Sequence, residues 1–408
     1  MMHKSRPKKA FLVDTLTSSL FEKLARREAD MIFANHIKLK QGGKIDRPAI
    51  HDAFIDPYRQ VSWMVFRRVE QMLDALARRS PQLLQLEGVD IRSALLKYLF
   101  WVYCPGEFSL DAAYSLFQAH SQEKVSVRRW GYNPLVDAFG YSVRASAQVL
   151  RALRPAQQPV SPQEGLSEGK IAYVFLVDSL FALALMRRLI LQFDPSQTAI
   201  ALLSAEDERV FLESADFQIV AEKGYTFTRL SYPPQRHAAS ERLYPRRSWF
   251  SQPKLVYHIL RFRDEAAAFR ASVFPILSQG PRAIITCAAE NLWEGHLLCE
   301  YGKMKGIKII NVMNGLKDGG ADSAQAAFDL WFVWDQRIAD TLVEHVQVPP
   351  EMLSTEGGHL AEDAIREHQY AGSLDAYQDK LVGRQVILFT SIPGSSASKL
   401  GALSCVYA

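Results

Sequence analysis

A chain of 408 residues with 48% hydrophobic and 23% charged side chains has the composition of a globular protein and is too long for one ordinary domain. The four cysteines, Cys104, Cys287, Cys299 and Cys405, include no close pair at metal-ligand spacing, and the N-terminus carries no secretory signal, so a reducing cytoplasm is the expected compartment. The formal charge of +4 is uneven: residues 1–160 carry roughly nine more basic than acidic groups, while the remainder is slightly acidic.

The densest basic cluster is His3-Lys4-Ser5-Arg6-Pro7-Lys8-Lys9. A field of this sign attracts anionic lipid headgroups or acidic polymers; the plainer reading is a solvated chain end. Peripheral contact with an anionic membrane at its cytoplasmic face is the expectation, with no nucleic-acid partner.

Taken in chain order, a strand is predicted at residues 10–14. Three segments with helical spacing of apolar groups follow: Trp63, Val65, Phe66, Val69 and Met72; Ile91, Leu95, Leu96 and Leu99; and Leu135, Phe139, Val143 and Val149. Residues 1–155 therefore read as a mainly helical region with one strand. The stretch that follows carries three prolines, Pro155, Pro159 and Pro162, and little apolar content, which marks a linker at 156–169.

From residue 170 strands and helices alternate. The longest apolar stretch, Ile171 to Phe193, is interrupted by Asp178 and Arg187-Arg188; it makes a poor membrane span and reads as a strand at 171–177 entering a helix over 180–192. A strand at 198–203, a helix start at 204–207, a short strand at 217–220 and a helix over 254–276 come next. Three apolar runs, 282–287, 308–315 and 329–334, have the continuous character of strands buried on both faces of a parallel sheet. A short element at 352–356 then precedes Gly357-Gly358-His359. This pattern predicts an α/β fold, a Rossmann-like doubly wound parallel sheet over 170–383 preceded by the mainly helical region. Phe11-Leu-Val-Asp-Thr15 is echoed by Phe175-Leu-Val-Asp-Ser179, either as a trace of two related half-domains or by chance.

Ligands bind such sheets at the carboxyl ends of the strands, so the loops there carry the candidates. Asp178 and Ser179 follow the first strand; Asp178 is a candidate general base, or else an N-cap. Glu290, with Glu294 and His296 beyond it, follows the strand ending at Cys287 and is placed to bind or activate an acceptor hydroxyl, or to complement a helix dipole. In Asn314-Gly315-Leu316-Lys317-Asp318-Gly319-Gly320 the glycines permit close backbone approach and Lys317 suits a phosphate or carboxylate, against the alternative of an ordinary turn. Gly358 and His359 offer backbone amides and one imidazole, or simply a strand-to-helix turn. Trp331, Phe332 and Trp334 read as core rather than sugar-stacking groups.

The succession of Ala283-Ile-Ile-Thr286, Gly306-Ile-Lys-Ile-Ile-Asn-Val-Met-Asn-Gly315, Phe332-Val-Trp-Asp335, Val348-Pro-Pro350, Leu353-Ser-Thr-Glu-Gly-Gly-His359 and Gln385-Val-Ile-Leu-Phe-Thr390 resembles the N-terminal half of GT-B glycosyltransferases of bacterial surface polysaccharide biosynthesis. It is also similar to their structural cousins, the sugar-nucleotide epimerases. Asn314 stands where many relatives carry His. The resemblance implies a nucleotide-sugar donor, a glycan or lipid-linked acceptor, no required metal or cofactor, and an acceptor-side domain at 170–383. It also implies a second, donor-binding Rossmann-like domain, of which only 384–408 would be present, leaving the chain inactive alone. Asp178 and Glu290 would be catalytic; Ser179, Asn314, Gly315, Lys317, Asp318, Gly319, Gly358 and His359 would bind substrate. A non-catalytic glycan- or membrane-binding module is the alternative from another class.

Overall fold

The computed structural model describes residues 8–38, 49–52, 58–104, 107–120, 125–130, 139–147, 171–203, 211–230, 253–287, 289–313, 320–325 and 327–358. The chain divides into two compact units, one formed by Met1–Val69, Phe100–Pro134 and Gly372–Ala408, the other by Glu70–Leu99 and Leu135–Ala371. Up to residue 130 the elements are β1 (Lys8–Thr17), α1 (Ser18–Arg26), β2 (Met31–Lys38), β3 (Ala49–Asp52), α2 (Tyr58–Ala77), β4 (Gln85–Leu86), β5 (Val89–Asp90), α3 (Arg92–Tyr103), α4 (Glu107–His120) and β6 (Val125–Trp130).

In the first unit the strands form a four-stranded sheet in the order β3-β2-β1-β6, parallel throughout. Its central strand buries Ala10, Phe11, Leu12, Val13 and Leu16, as a strand covered on both faces must. Phe11, Val13 and Leu16 pack with Leu24 of α1 and Ile32 of β2. Phe33 of β2 meets the rings of Tyr114 and Phe117 in α4 edge-on at 5.9 and 5.7 Å. The expectation of a single strand before residue 155 is thereby corrected. The two outer strands, β3 and β6, are short and carry polar or charged residues, as is common at sheet edges, so they leave no apolar run to read.

The second unit continues with β7 (Tyr173–Val177), α5 (Leu180–Ile190), β8 (Thr198–Leu202), α6 (Ala215–Glu222), β9 (Thr226–Arg229), α7 (Pro253–Ser278), β10 (Ala283–Cys287), α8 (Trp293–Lys305), β11 (Lys308–Val312), β12 (Leu330–Phe332), α9 (Gln336–Thr341) and β13 (Leu353–Ser354). They build a seven-stranded sheet, β13-β12-β11-β10-β7-β8-β9, in which every pairing is parallel. The chain enters at β7, winds to one edge through β8 and β9, then returns to β10 and winds to the other. Crossovers that wind in opposite directions from the centre put helices on both faces of such a sheet. Phe175, Val177, Ile285 and Cys287 accordingly pack with Leu183 and Met186 of α5 and Val220 of α6. The alternate residues Val174, Leu176, Ile284 and Thr286 are buried as well. The α/β architecture with a Rossmann-like parallel sheet is thus the one expected.

Two local expectations change. Residues 217–220 are helical, inside α6, whose cap is the Ser214 hydroxyl accepting from the Phe217 amide at 3.2 Å. Asp216 of that helix pairs with Arg187 of α5 at 2.7 Å, both largely buried. Four residues, three of them apolar, fit either period, and the strand of this region is β9, just beyond. The other change concerns residues 70–99, which belong with the second sheet. The buried Arg263 of α7 donates to the carbonyl oxygens of Gln82 and Leu83, each at 3.2 Å, and of Gln85. Arg270 pairs with Glu87, and Tyr98 packs on Phe262 at 5.2 Å. These contacts join segments about 180 positions apart, a distance over which local pattern carries no information.

Residues 139–147 are helical, while Leu135 and Val149 lie outside the described residues, as do 204–207, the proposed linker and everything after 358. The strand order β3-β2-β1-β6 repeats as β9-β8-β7-β10, so the two Phe-Leu-Val-Asp echoes fall on topologically equivalent central strands. Their details differ: Asp14 lies inside β1, whereas Asp178 lies just past the end of β7.

Candidate functional site

The order of the larger sheet reverses between β7 and β10, and the loops leaving these two strands flank the crevice of such a fold. At the end of β7, Ser179 caps α5 by accepting from the Ala182 amide at 3.2 Å and donates its hydroxyl to Asp178 Oδ1 at 3.0 Å. Capping therefore falls to Ser179 and not to Asp178. Both residues are half-buried.

At the end of β10 a short turn, Ala289–Asn291, places Glu290 in full burial. Glu290 Oε2 accepts from Nδ2 of Asn311 on β11 at 2.8 Å, and Asn311 Oδ1 accepts from the Ala289 amide at 3.1 Å. His296 of α8 sets Nε2 3.3 Å from the Glu290 carbonyl oxygen and Nδ1 2.9 Å from Ser93 Oγ. A carbonyl only accepts, so Nε2 carries the proton and the Ser93 hydroxyl donates to Nδ1. One turn along α3 from Ser93, the buried Lys97 donates to the carbonyl oxygens of Ala321, at 3.5 Å, and Asp322. One face of α3 thus fastens both the turn after β10 and the turn Ala321–Ser323 that follows β11.

Close approach is built into this corner. A Cβ on Gly295 would lie 2.2 Å from the Ala289 carbonyl oxygen, so only glycine lets α8 nest against the turn that carries Glu290. Gly358 has a similar reason to be glycine: its Cβ would fall 2.3 Å from the Trp334 carbonyl oxygen. Gly358→Ala is therefore expected to lower stability by about 1–3 kcal/mol, measured by urea unfolding, through overpacking against backbone that cannot yield.

Burial, reinforced by the positive charge of Lys97, pushes the His296 imidazole down from 6.5 to about 3, so the ring is neutral in the folded protein near neutral pH. The unfolded chain binds a proton at this ring near pH 6.5 while the native state does not, so stability falls as pH drops below about 6.5. Its slope from this group is at most about 1.4 kcal/mol per pH unit. His296→Gln is expected to be less stable at pH 7 yet to show a shallower decline between about pH 6.5 and pH 5 in denaturant titrations, the window in which few carboxylates titrate.

No protein-family model, curated protein or solved structure matches this chain. Among the described residues no group of His, Cys, Asp or Glu is placed to hold a metal ion, and no helix is long and apolar enough to cross a membrane. Cys104, Cys287 and Cys299 are buried and not joined in a disulfide, and burial pushes the thiol of Cys299 up.

Of the residues singled out from sequence, Asp178, Ser179 and Glu290 stand at the exits of the two strands where the order reverses. Asn314, Gly315, Lys317, Asp318, Gly319 and His359 lie outside the described residues; Gly320 precedes the turn held by Lys97. Trp331 is fully buried against Phe328, and Trp334 donates Nε1–H to the Met313 carbonyl oxygen at 3.0 Å, so both serve the core. Ser93, Lys97 and Asn311 escaped notice. Each left a trace: a polar residue interrupts an apolar strand at Asn311, and a lysine four positions from a serine interrupts the apolar run of α3.

Proposed function

We propose that the chain is a glycosyltransferase of GT-B type, transferring a sugar from a nucleotide-activated donor to a surface polysaccharide or lipid-linked glycan acceptor. The observation that carries this reading is the reversal of strand order between β7 and β10, with Asp178 and Ser179 at one exit and the Glu290 turn at the other. The second unit expected after residue 384 falls outside the described residues, and the activity of this chain by itself is part of the proposal.

In this reading Asp178 is the general base. The acceptor hydroxyl gives its proton to the Asp178 carboxylate, its oxygen forms a bond to the anomeric carbon, and the bond to the nucleotide phosphate breaks with its electron pair leaving on the nucleotide. The leaving phosphates fall to the donor-binding unit that this architecture requires. Glu290, buried and held by Asn311, sets the shape of the β10 exit instead of moving a proton.

A thermal-shift screen of nucleotide sugars tests the reading, since a ligand bound only by the folded state stabilises it by about 2.7 kcal/mol at a hundredfold excess over Kd. One nucleotide class raising Tm, with sugar transfer to an added acceptor, is the expected result. Changed stereochemistry of the free nucleotide sugar would point to an epimerase. No shift with any nucleotide would leave the binding-module reading.

A further inference from the structure

We infer that the exit of β7 is a carbohydrate subsite, in which the Phe181 ring carries the apolar face of the acceptor's sugar ring while a sugar hydroxyl reaches the Asp178 carboxylate. The inference rests on reading that exit as a ligand site, and it holds whether the sugar takes part in transfer or is only recognised. Phe181 stands in the first turn of α5, two residues beyond the capping Ser179. The five residues after it, Ala182 to Met186, are buried, yet Phe181 itself is 44% exposed. Among the described residues no aromatic ring or cation packs on it. Phe274, exposed to a similar degree, has by contrast the Arg270 guanidinium 5.9 Å from its centre.

A lone apolar side chain on a surface is ordinary, and it is the place of Phe181 that sets it apart. Leu176 of β7 and Thr286 of β10 are register partners, so the two strands leave the sheet side by side where its order reverses. The β10 exit has the same make-up: Leu292 follows Glu290 by two positions and is 41% exposed. It occupies the N-cap position of α8, where a polar side chain usually bonds the first turn, and makes no such bond. Each exit thus presents a carboxylate residue and, a few positions on, an exposed apolar one.

The ligand follows from these two chemistries. Asp178 offers acceptors, and a carboxylate accepts at several positions at once, so the Ser179 bond does not close it to a ligand hydroxyl. Its charge disfavours a diphosphate here, and with it the nucleobase that the diphosphate carries. The electron-rich face of a phenyl ring attracts the slightly positive hydrogens of C–H groups. A pyranose supplies both partners, hydroxyl donors at its rim and a patch of C–H groups on one face.

Saturation-transfer NMR on the full chain with the methyl glycosides of glucose, galactose, mannose and N-acetylglucosamine tests this, since it reports which ligand protons lie against the protein. One or more of them is expected to bind, with the strongest transfer to the protons of one ring face. Phe181→Ala is expected to weaken that binding about tenfold, and Phe181→Trp to restore it. Thermal unfolding of Phe181→Ala should stay close to wild type, because the ring stands half in water. Failure of the wild type to bind any of the glycosides would overturn the inference, as would Phe181→Ala binding within about twofold of wild type; a nucleotide thermal shift retained in either case leaves the transferase reading standing. Loss of that nucleotide shift in Phe181→Ala with glycoside binding intact would also overturn it, assigning the ring to the nucleobase. Glycoside binding that depends on Phe181, without a shift from any nucleotide, supports the inference and removes the transferase reading.

Discussion

Replacing Asn311 by leucine is expected to lower the unfolding free energy by about 2–3 kcal/mol, the range for taking a hydrogen-bond partner from buried polar groups. The side chains are similar in size, so the loss is one of polarity. Asn311 is fully buried and serves two groups at once, the Glu290 carboxylate at 2.8 Å and the Ala289 amide at 3.1 Å. Leucine supplies neither bond, and both groups that lose one are buried. Glu290→Gln retains an oxygen to accept from Asn311 and is expected to cost only about 1 kcal/mol. Glu290→Met combined with Asn311→Leu should recover part of the single-variant loss, since removing both partners costs less than orphaning one. Urea unfolding of the four proteins decides the matter, and an Asn311→Leu loss below about 1 kcal/mol would contradict the account.

Asp178→Asn is expected to lower sugar transfer by about 10²–10⁴-fold while leaving the nucleotide thermal shift and the stability nearly unchanged. Asparagine keeps an oxygen for the Ser179 hydroxyl, and the cap on α5 depends on Ser179 itself. Proton acceptance is removed. Ser179→Ala provides the contrast: loss of the cap is expected to cost about 1 kcal/mol of stability. Nucleotide release in the presence of acceptor, with the donor found in the thermal-shift screen, is the measurement. Turnover of Asp178→Asn within a few-fold of wild type would remove Asp178 from the role of base.

The candidate site was legible in part. The strand exits could be found because a central parallel strand is a continuous apolar run, and the residue after it is visible where the run stops, as at Asp178 after Val177. What each exit residue does there was not visible. Asp178 and Ser179 are both good caps by type, and backbone geometry chose Ser179. Glu290 suited solvent-facing chemistry by position, yet it lies buried on Asn311, a partner 21 residues away on the adjoining strand.

The sequence by itself determined the alternation of strands and helices from residue 171, the placement of β1, β7, β8, β10, β11 and β12, and the burial of Trp331, because these rest on local hydrophobic period and run length. Only the tertiary structure decided that β2, β3 and β6 join β1 in a second parallel sheet and that residues 70–99 belong with the larger one. It alone brought Ser93 and Lys97 to the turns after β10 and β11. Edge strands are defined by their pairing and buried polar contacts by their partners, and the 203 positions between Ser93 and His296 leave no local periodicity that could encode their meeting.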